Sequence, residues 1–262
     1  MKKWMLVVLV LAGSVSWGQA QIKIGNRTIN TKKVLNAASE VASAITLSDE
    51  DVAALCRESV KWMDEQNPVS DPGSAYSKRL DSLMKKVGEV EGLKLNYKVY
   101  EVVDINAFAC GDGSIRVFSA LMDLMDDDEL MAVIGHEIGH VIHTDSKDAM
   151  KNAYFRSAVK NAAGAASSQV AKLTDSELGA MAEALAGAQY SQKQEYAADA
   201  YGVEFCVKNN IDPYGMYKSL NKLLELSNGA PASSYMQRMF SSHPDTAKRV
   251  ARAKELADKY KQ

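Results

Sequence analysis

Of the four histidines in this 262-residue chain, two stand in the run His136-Glu137-Ile138-Gly139-His140. At i and i+4 of a helix, two imidazoles project from one face and can hold a single Zn²⁺ ion. Glu137, one position on, can reach a water at that ion and act as general base. Leu130, Val133, Ile134, Ile138 and Val141 accompany the run at apolar helical spacing, which predicts a buried helix.

A catalytic zinc needs a third protein ligand and an open position. The pattern with a third histidine in the same motif requires Gly at 143 and His at 146, but the chain has His143 and Ser146. His143 itself lies about two helical turns beyond His136, too far along the axis to share the ion. A carboxylate from a second helix is the other common solution, and Gln194-Glu195-Tyr196-Ala197-Ala198-Asp199 offers one. Glu195 and Asp199 are i,i+4 neighbours, and Ala197 and Ala198 between them allow close helix contact. Glu195 is expected to bind the metal while Asp199 hydrogen-bonds a ligand imidazole and fixes its tautomer.

Positioning these groups takes helices and little sheet. Helical patterns run over 34–45, 49–67, 76–89, 120–125 and 128–143, then 192–209, 213–226 and 246–261. The Ala-, Ser- and Gly-rich stretch 149–189 also reads as helical. Leu93–Val103 alternates like a strand, and 105–109 and 114–119 flank the hairpin-like turn Cys110-Gly111-Asp112-Gly113. The acidic run 126–129 reads as a helix N-terminal cap, a closer fit than a calcium site. The expectation is an α+β, mainly helical single domain with a small β-sheet beside the active-site helix. It spans 21–262, with 21–48 a peripheral arm and helix.

Net charge is −2 with 24% charged residues, which disfavours a nucleic-acid partner. Met1–Ala20 reads as a cleaved signal peptide: Lys2 and Lys3, an apolar Trp4–Val15, then small Gly18 and Ala20. The apolar run is too short to span a bilayer, no later stretch reaches spanning length, and no cysteine follows it to accept a lipid. The mature chain is then exported, periplasmic or beyond, and its three cysteines meet an oxidising compartment. Cys206 sits in apolar helical context, so the expected pair is Cys56–Cys110.

The HExxH run, the ExxxD of QEYAADA and Ser242-His243-Pro244-Asp245-Thr246-Ala247-Lys248-Arg249 together resemble the M48 (Ste24/HtpX-like) gluzincin zinc metallopeptidases. The likeness is nearest to the soluble periplasmic LoiP-type and BepA-type branch. It extends to Asn106-Ala107-Phe108-Ala109 and Ile115-Arg116-Val117. The resemblance implies one zinc per chain on His136, His140 and Glu195, with Glu137 as base and Asp199 as a supporting or proton-donating acid. It implies that His243 and Arg249 face the site, His243 either donating to the oxyanion or capping zinc at rest. Asn106, Ala107, Ile115 and Val117 would bind substrate, an extended peptide pairing with the strand near Ile115–Ser119. The activity implied is endopeptidase hydrolysis of unfolded or misassembled envelope proteins, with envelope assembly machinery a possible partner. A zinc-bearing chaperone with latent proteolysis is the alternative. The turn at Cys110–Gly113 departs from the proline and paired glycines common in such relatives.

Overall fold

The structure is a computed structural model that describes residues 21–24, 27–30, 47–88, 90, 92–161, 173–229, 243 and 246–260. The signal-peptide reading of 1–20, the helix expected over 34–45 and the middle of the Ala-rich stretch lie outside the described residues. Two units divide at Ile45. In the first, β1 (Gln21–Ile24) and β2 (Arg27–Asn30) form an antiparallel hairpin, so the arm is a two-stranded element.

In the second unit, helices α1 (Asp49–Gln66) and α2 (Ala75–Met84) precede a three-stranded sheet of β3 (Asn96–Tyr100), β4 (Ala107–Ala109) and β5 (Ser114–Phe118). Helices α3 (Ser119–Leu124), α4 (Asp127–Ile142), α5 (Asp145–Asn161), α6 (Asp175–Ala186), α7 (Gln192–Lys208), α8 (Gly215–Gly229) and α9 (Thr246–Asp258) follow. Side-chain capping explains most starts. Ser48 and Asp51 form a capping box on α1, Asp126 and Glu129 on α4, Thr174 and Glu177 on α6, and Ser191 and Gln194 on α7. The acidic run thus closes the N-terminus of the HExxH helix with its own side chains.

Strand order is β3-β5-β4, with β5 parallel to β3 and antiparallel to β4. Gly113 N–H donates to Cys110 C=O at 2.9 Å, closing the β4–β5 turn expected from sequence. All of β5 is buried because both sheet faces are covered. Val99, Ala107, Ala109, Ile115 and Val117 face one cluster with Leu80, Leu121, Ile134 and Ile138 from α2, α3 and α4. Tyr100, Phe108, Cys110 and Phe118 face a second with Leu55, Val60, Met150 and Met181 from α1, α5 and α6. This period-two division is the strand pattern at work. On the second face Arg116 is buried, and its Nε and Nη2 meet Asp64 of α1 at 2.8 and 2.9 Å.

The sheet order corrects one expectation. Ile115 and Val117 sit in the central strand, 1% and 0% exposed and paired on both sides, so no peptide can add there. The outer side of β3 is taken as well: Ser70 N–H donates to Val99 C=O at 2.9 Å, and Glu101 N–H to Pro68 C=O at 2.8 Å. Phe118 N–H to Asn106 C=O and Cys110 N–H to Ser114 C=O, at 3.0 and 2.8 Å, mark the bonded pairs of β4 and β5. By antiparallel alternation the backbone groups of Ala107 and Ala109 point away from β5. Among the described residues no strand pairs with that edge, and β4 packs against α4.

The tightest helix contact is α4 on α7. A Cβ on Gly139 would stand 3.1 Å from Ala198 Cα and 3.0 Å from Tyr201 Cβ, and one on Gly202 3.0 Å from Ala132 C=O. The small residues let two backbones meet where larger ones would separate them. Gly139→Val is expected to lower stability by about 1–3 kcal/mol by overpacking and to weaken metal binding with it. Gly88→Ala, at a position open to space, serves as control. Denaturant unfolding with chelator competition measures both.

Candidate metal centre and active site

Burying one face of α4 against α7 brings the expected ligands together. His136, His140 and Glu195 are 3%, 1% and 0% exposed. Potential ligand atoms of these three and of His243 all lie within 4.8 Å of one another. The two Nε2 atoms are 3.1 Å apart, and Glu195 Oε1 lies 3.4 Å from His140 Nε2. His243 Nδ1 stands 3.0 Å from Glu195 Oε1 and 3.4 Å from His136 Nε2, with its ring inside the ligand cluster.

Each ligand imidazole has a carboxylate behind it. His140 Nδ1 is 2.9 Å from Asp145 Oδ2, and His136 Nδ1 is 3.0 Å from Asp199 Oδ1. The second contact is close but out of line for a hydrogen bond, so it orients the ring mainly through charge. Both carboxylates favour a proton on Nδ1, which turns the Nε2 lone pairs toward each other. Two lone pairs 3.1 Å apart repel unless a cation lies between them.

Charge balance gives the same answer. Glu137, Asp145, Glu195 and Asp199 are all at most 7% exposed, and among the described residues Arg249 is the one permanent cation buried with them. Burying that excess of negative charge is costly without a positive partner. The titration directions differ between the two imidazoles. Burial lowers His136, keeping it neutral as a ligand must be. Burial would lower His140 too, but Asp145 and Glu195 outweigh it and lift it to about 9. Glu195 is held well below the usual carboxylate range, burial notwithstanding, by His140 and His243. The donor set of two imidazoles and a carboxylate fits a divalent metal.

Arg249 departs from its expected place. Its Nε and Nη2 donate to Asp199 at 2.8 and 2.7 Å, Nη1 also reaches Glu195, and the residue is 2% exposed. The guanidinium thus lies behind the two acids of α7 and positions them; it does not open onto a cleft where a substrate carbonyl could reach it. The same pairing defines Asp199. Burial would raise its pKa, but the Arg249 charge keeps it low, which holds it as a carboxylate behind His136. Arg249 Nη1 also donates to His243 C=O at 3.4 Å, tying that residue to the same knot.

Glu137 stays beside the ligands without joining them, its Oε1 4.0 Å from His136 Nε2 and 3.7 Å from His243 Nε2. His143 caps the C-terminus of α4 and stays out of the cluster, as expected. Asn106 is buried at the start of β4, donating through Nδ2 to Ala186 C=O at 2.9 Å and accepting from Ala107 N–H at 3.0 Å. It lines a cavity of about 230 Å³ with Phe118, Glu183 and Gly187. Of the expected substrate residues, Asn106 and Ala107 lie on the side of the sheet where no described strand pairs, a buried edge on which Ala107 N–H is taken by Asn106, whereas Ile115 and Val117 lie in the central strand.

Sequence reasoning missed three residues. Asp145 follows Thr144, whose φ of 66° turns the chain back after α4 and returns a carboxylate to His140. Gln194 donates through Nε2 to Asp145 Oδ1 at 2.7 Å while its Oε1 closes the α7 capping box with Ser191. Tyr190 stacks on His140, ring centroids 3.8 Å apart. The capping-box spacing of Ser191 and Gln194 was visible in sequence; the Asp145 partner was not.

A profile described as Peptidase family M48 matches residues 75–257. Metalloprotease LoiP of Escherichia coli (strain K12) is 37% identical over 90% of this chain and 92% of its own length. Metalloprotease YcaL of the same strain is 36% identical over 85% and 86%. The Beta-barrel assembly-enhancing protease of that strain is 29% identical over 72% of this chain and 40% of its own.

Asp145→Ala and Gln194→Ala are each expected to weaken metal affinity about 10–100-fold, Asp145 the more, with the fold retained. Competition against a chromogenic chelator measures it.

Proposed function

This chain belongs to peptidase family M48 and is a metallopeptidase, and from that premise we propose that it is a zinc endopeptidase acting on unfolded or misassembled proteins of the cell envelope. His136, His140 and Glu195 would hold the ion. The observation that carries this reading is the convergence of two carboxylate-backed Nε2 atoms and a buried glutamate on one point. Bound zinc would supply a Lewis acid that polarises the scissile carbonyl and acidifies water.

The chain's own groups then do the rest. Glu137 takes the proton of the attacking water and passes it to the leaving amine, a single carboxylate serving twice. Asp145 and Asp199 keep the two imidazoles in register, and Arg249 keeps Asp199 ionised and pairs with Glu195. Substrate adds as a strand along the outer edge of β4, where Ala107 C=O and the backbone groups of Ala109 face away from β5. Recognition through backbone bonds tolerates many sequences, which suits clearance of misfolded chains better than cleavage at one signal. The name of the relative that enhances β-barrel assembly supports an envelope setting, as does the signal-like N-terminus. No described helix is long and apolar enough to cross a membrane.

His243 is read as a resting cap. Its Nδ1 sits 3.0 Å from Glu195 Oε1, within the ligand cluster, and not out in a cleft where it would meet a substrate carbonyl. Such a cap would make the proteolysis latent without a separate chaperone function.

Glu137→Gln is expected to keep its metal and lose about 10²–10⁴-fold of peptide-cleaving activity; cleavage of an unfolded protein with metal content measured in parallel checks this, and retained activity would remove Glu137 as base. His243→Ala is expected to raise cleavage. A fall would make His243 a transition-state donor instead.

A further inference from the structure

Cys56 and Cys110 play no part in the metal centre, and their surroundings are unlike those of Cys206. Cys56 lies on α1 and Cys110 directly after β4, both 0% exposed within the cluster that contains Val60, Phe108 and Met181. The two sulfurs and an Asp112 carboxylate oxygen lie within 4.8 Å of one another. Cys206 belongs to a separate cluster between α7 and α8. All three are free thiols in this structure.

We propose that Cys56 and Cys110 are a disulfide site that clasps α1 to the β4–β5 hairpin. Three observations carry it. The two sulfurs come from elements far apart in the chain and meet only because α1 docks on this sheet face, where Asp64 already grips Arg116. α1 precedes residue 75, where the family profile begins to match, so the clasp joins a helix outside that match to the hairpin within it. Third, a metal fits the same trio poorly. Asp112 spends its oxygens on Ser114, accepting from N–H at 3.1 Å and from Oγ at 2.9 Å, and the surroundings of the sulfurs are apolar. The Cys110 thiol is pushed up by its Cys56 neighbour and by burial, so it is no ready thiolate ligand.

The chemistry balances against a small-molecule disulfide. Two thiols give up two protons and two electrons to form one S–S bond, and oxidised glutathione accepts them to become two glutathione thiols. Because both sulfurs are buried, exchange takes place before α1 docks, while the chain folds. Only the identity of the natural oxidant rests on the export reading.

The test uses the full chain folded with oxidised glutathione present, then denatured with EDTA and no reductant, alkylated with iodoacetamide and digested. The expected result is alkylation at Cys206 alone and a linked peptide pair carrying Cys56 and Cys110, released by dithiothreitol. Three alkylated cysteines would overturn the proposal, whether the thiols were free or metal-bound before denaturation; so would a link to Cys206. A loop of about 55 residues closed by one bond predicts a Tm lower by roughly 10 °C after reduction. The variant with Cys56→Ser and Cys110→Ser should be indifferent to reductant. Equal sensitivity in wild type and variant would overturn the clasp.

Discussion

A cluster of buried carboxylates that requires a cation is the constraint on which this molecule depends. Glu137, Asp145, Glu195 and Asp199 are withdrawn from water around two imidazoles, and Arg249 alone does not balance them. A carboxylate in such a place is tolerated only with hydrogen bonds and opposite charge close by. Each acid therefore has a specific partner: Asp145 has His140 and Gln194, and Asp199 has His136 and Arg249. The remaining need for positive charge suits the site to a metal ion.

Meeting that constraint dictates the helix packing. Glu195 reaches the histidines only if α7 comes unusually close to α4, and Gly139, Ala198 and Gly202 provide that approach. α9 then completes the arrangement by inserting Arg249 behind α7. Three helices far apart in sequence share one charge network, and moving any one of them unbalances the other two. The α7 capping box is drawn into the same network, since Gln194 both caps its own helix and holds Asp145.

The sheet serves a different purpose. Both its faces are sealed by helices, so β5 is a structural core, and among the described residues the outer edge of β4 pairs with no strand. The Asp64–Arg116 pair fastens α1 to the far face. That arrangement packs a three-residue edge strand beside α4 with no further strand, among the described residues, to support it.

Much of this was legible in the residues. The helix period places His136 with His140 and Glu195 with Asp199 on single faces, because i and i+4 neighbours are fixed by local geometry alone. The acidic cap at 126–129 and the hairpin turn are equally local, and they were readable for the same reason. Strand order is not local: alternation marked β5 as a strand but could not say that it would be central, and that decided against Ile115 and Val117 as substrate contacts. Nor could spacing reveal that Arg249 would turn away from the cleft to bind two acids, or that Asp145 would fold back onto His140. The sequence by itself determined which side chains could hold a metal. The tertiary structure decided which groups stand behind them and which strand is central, because those relations depend on how separate elements pack and not on the spacing within any one of them.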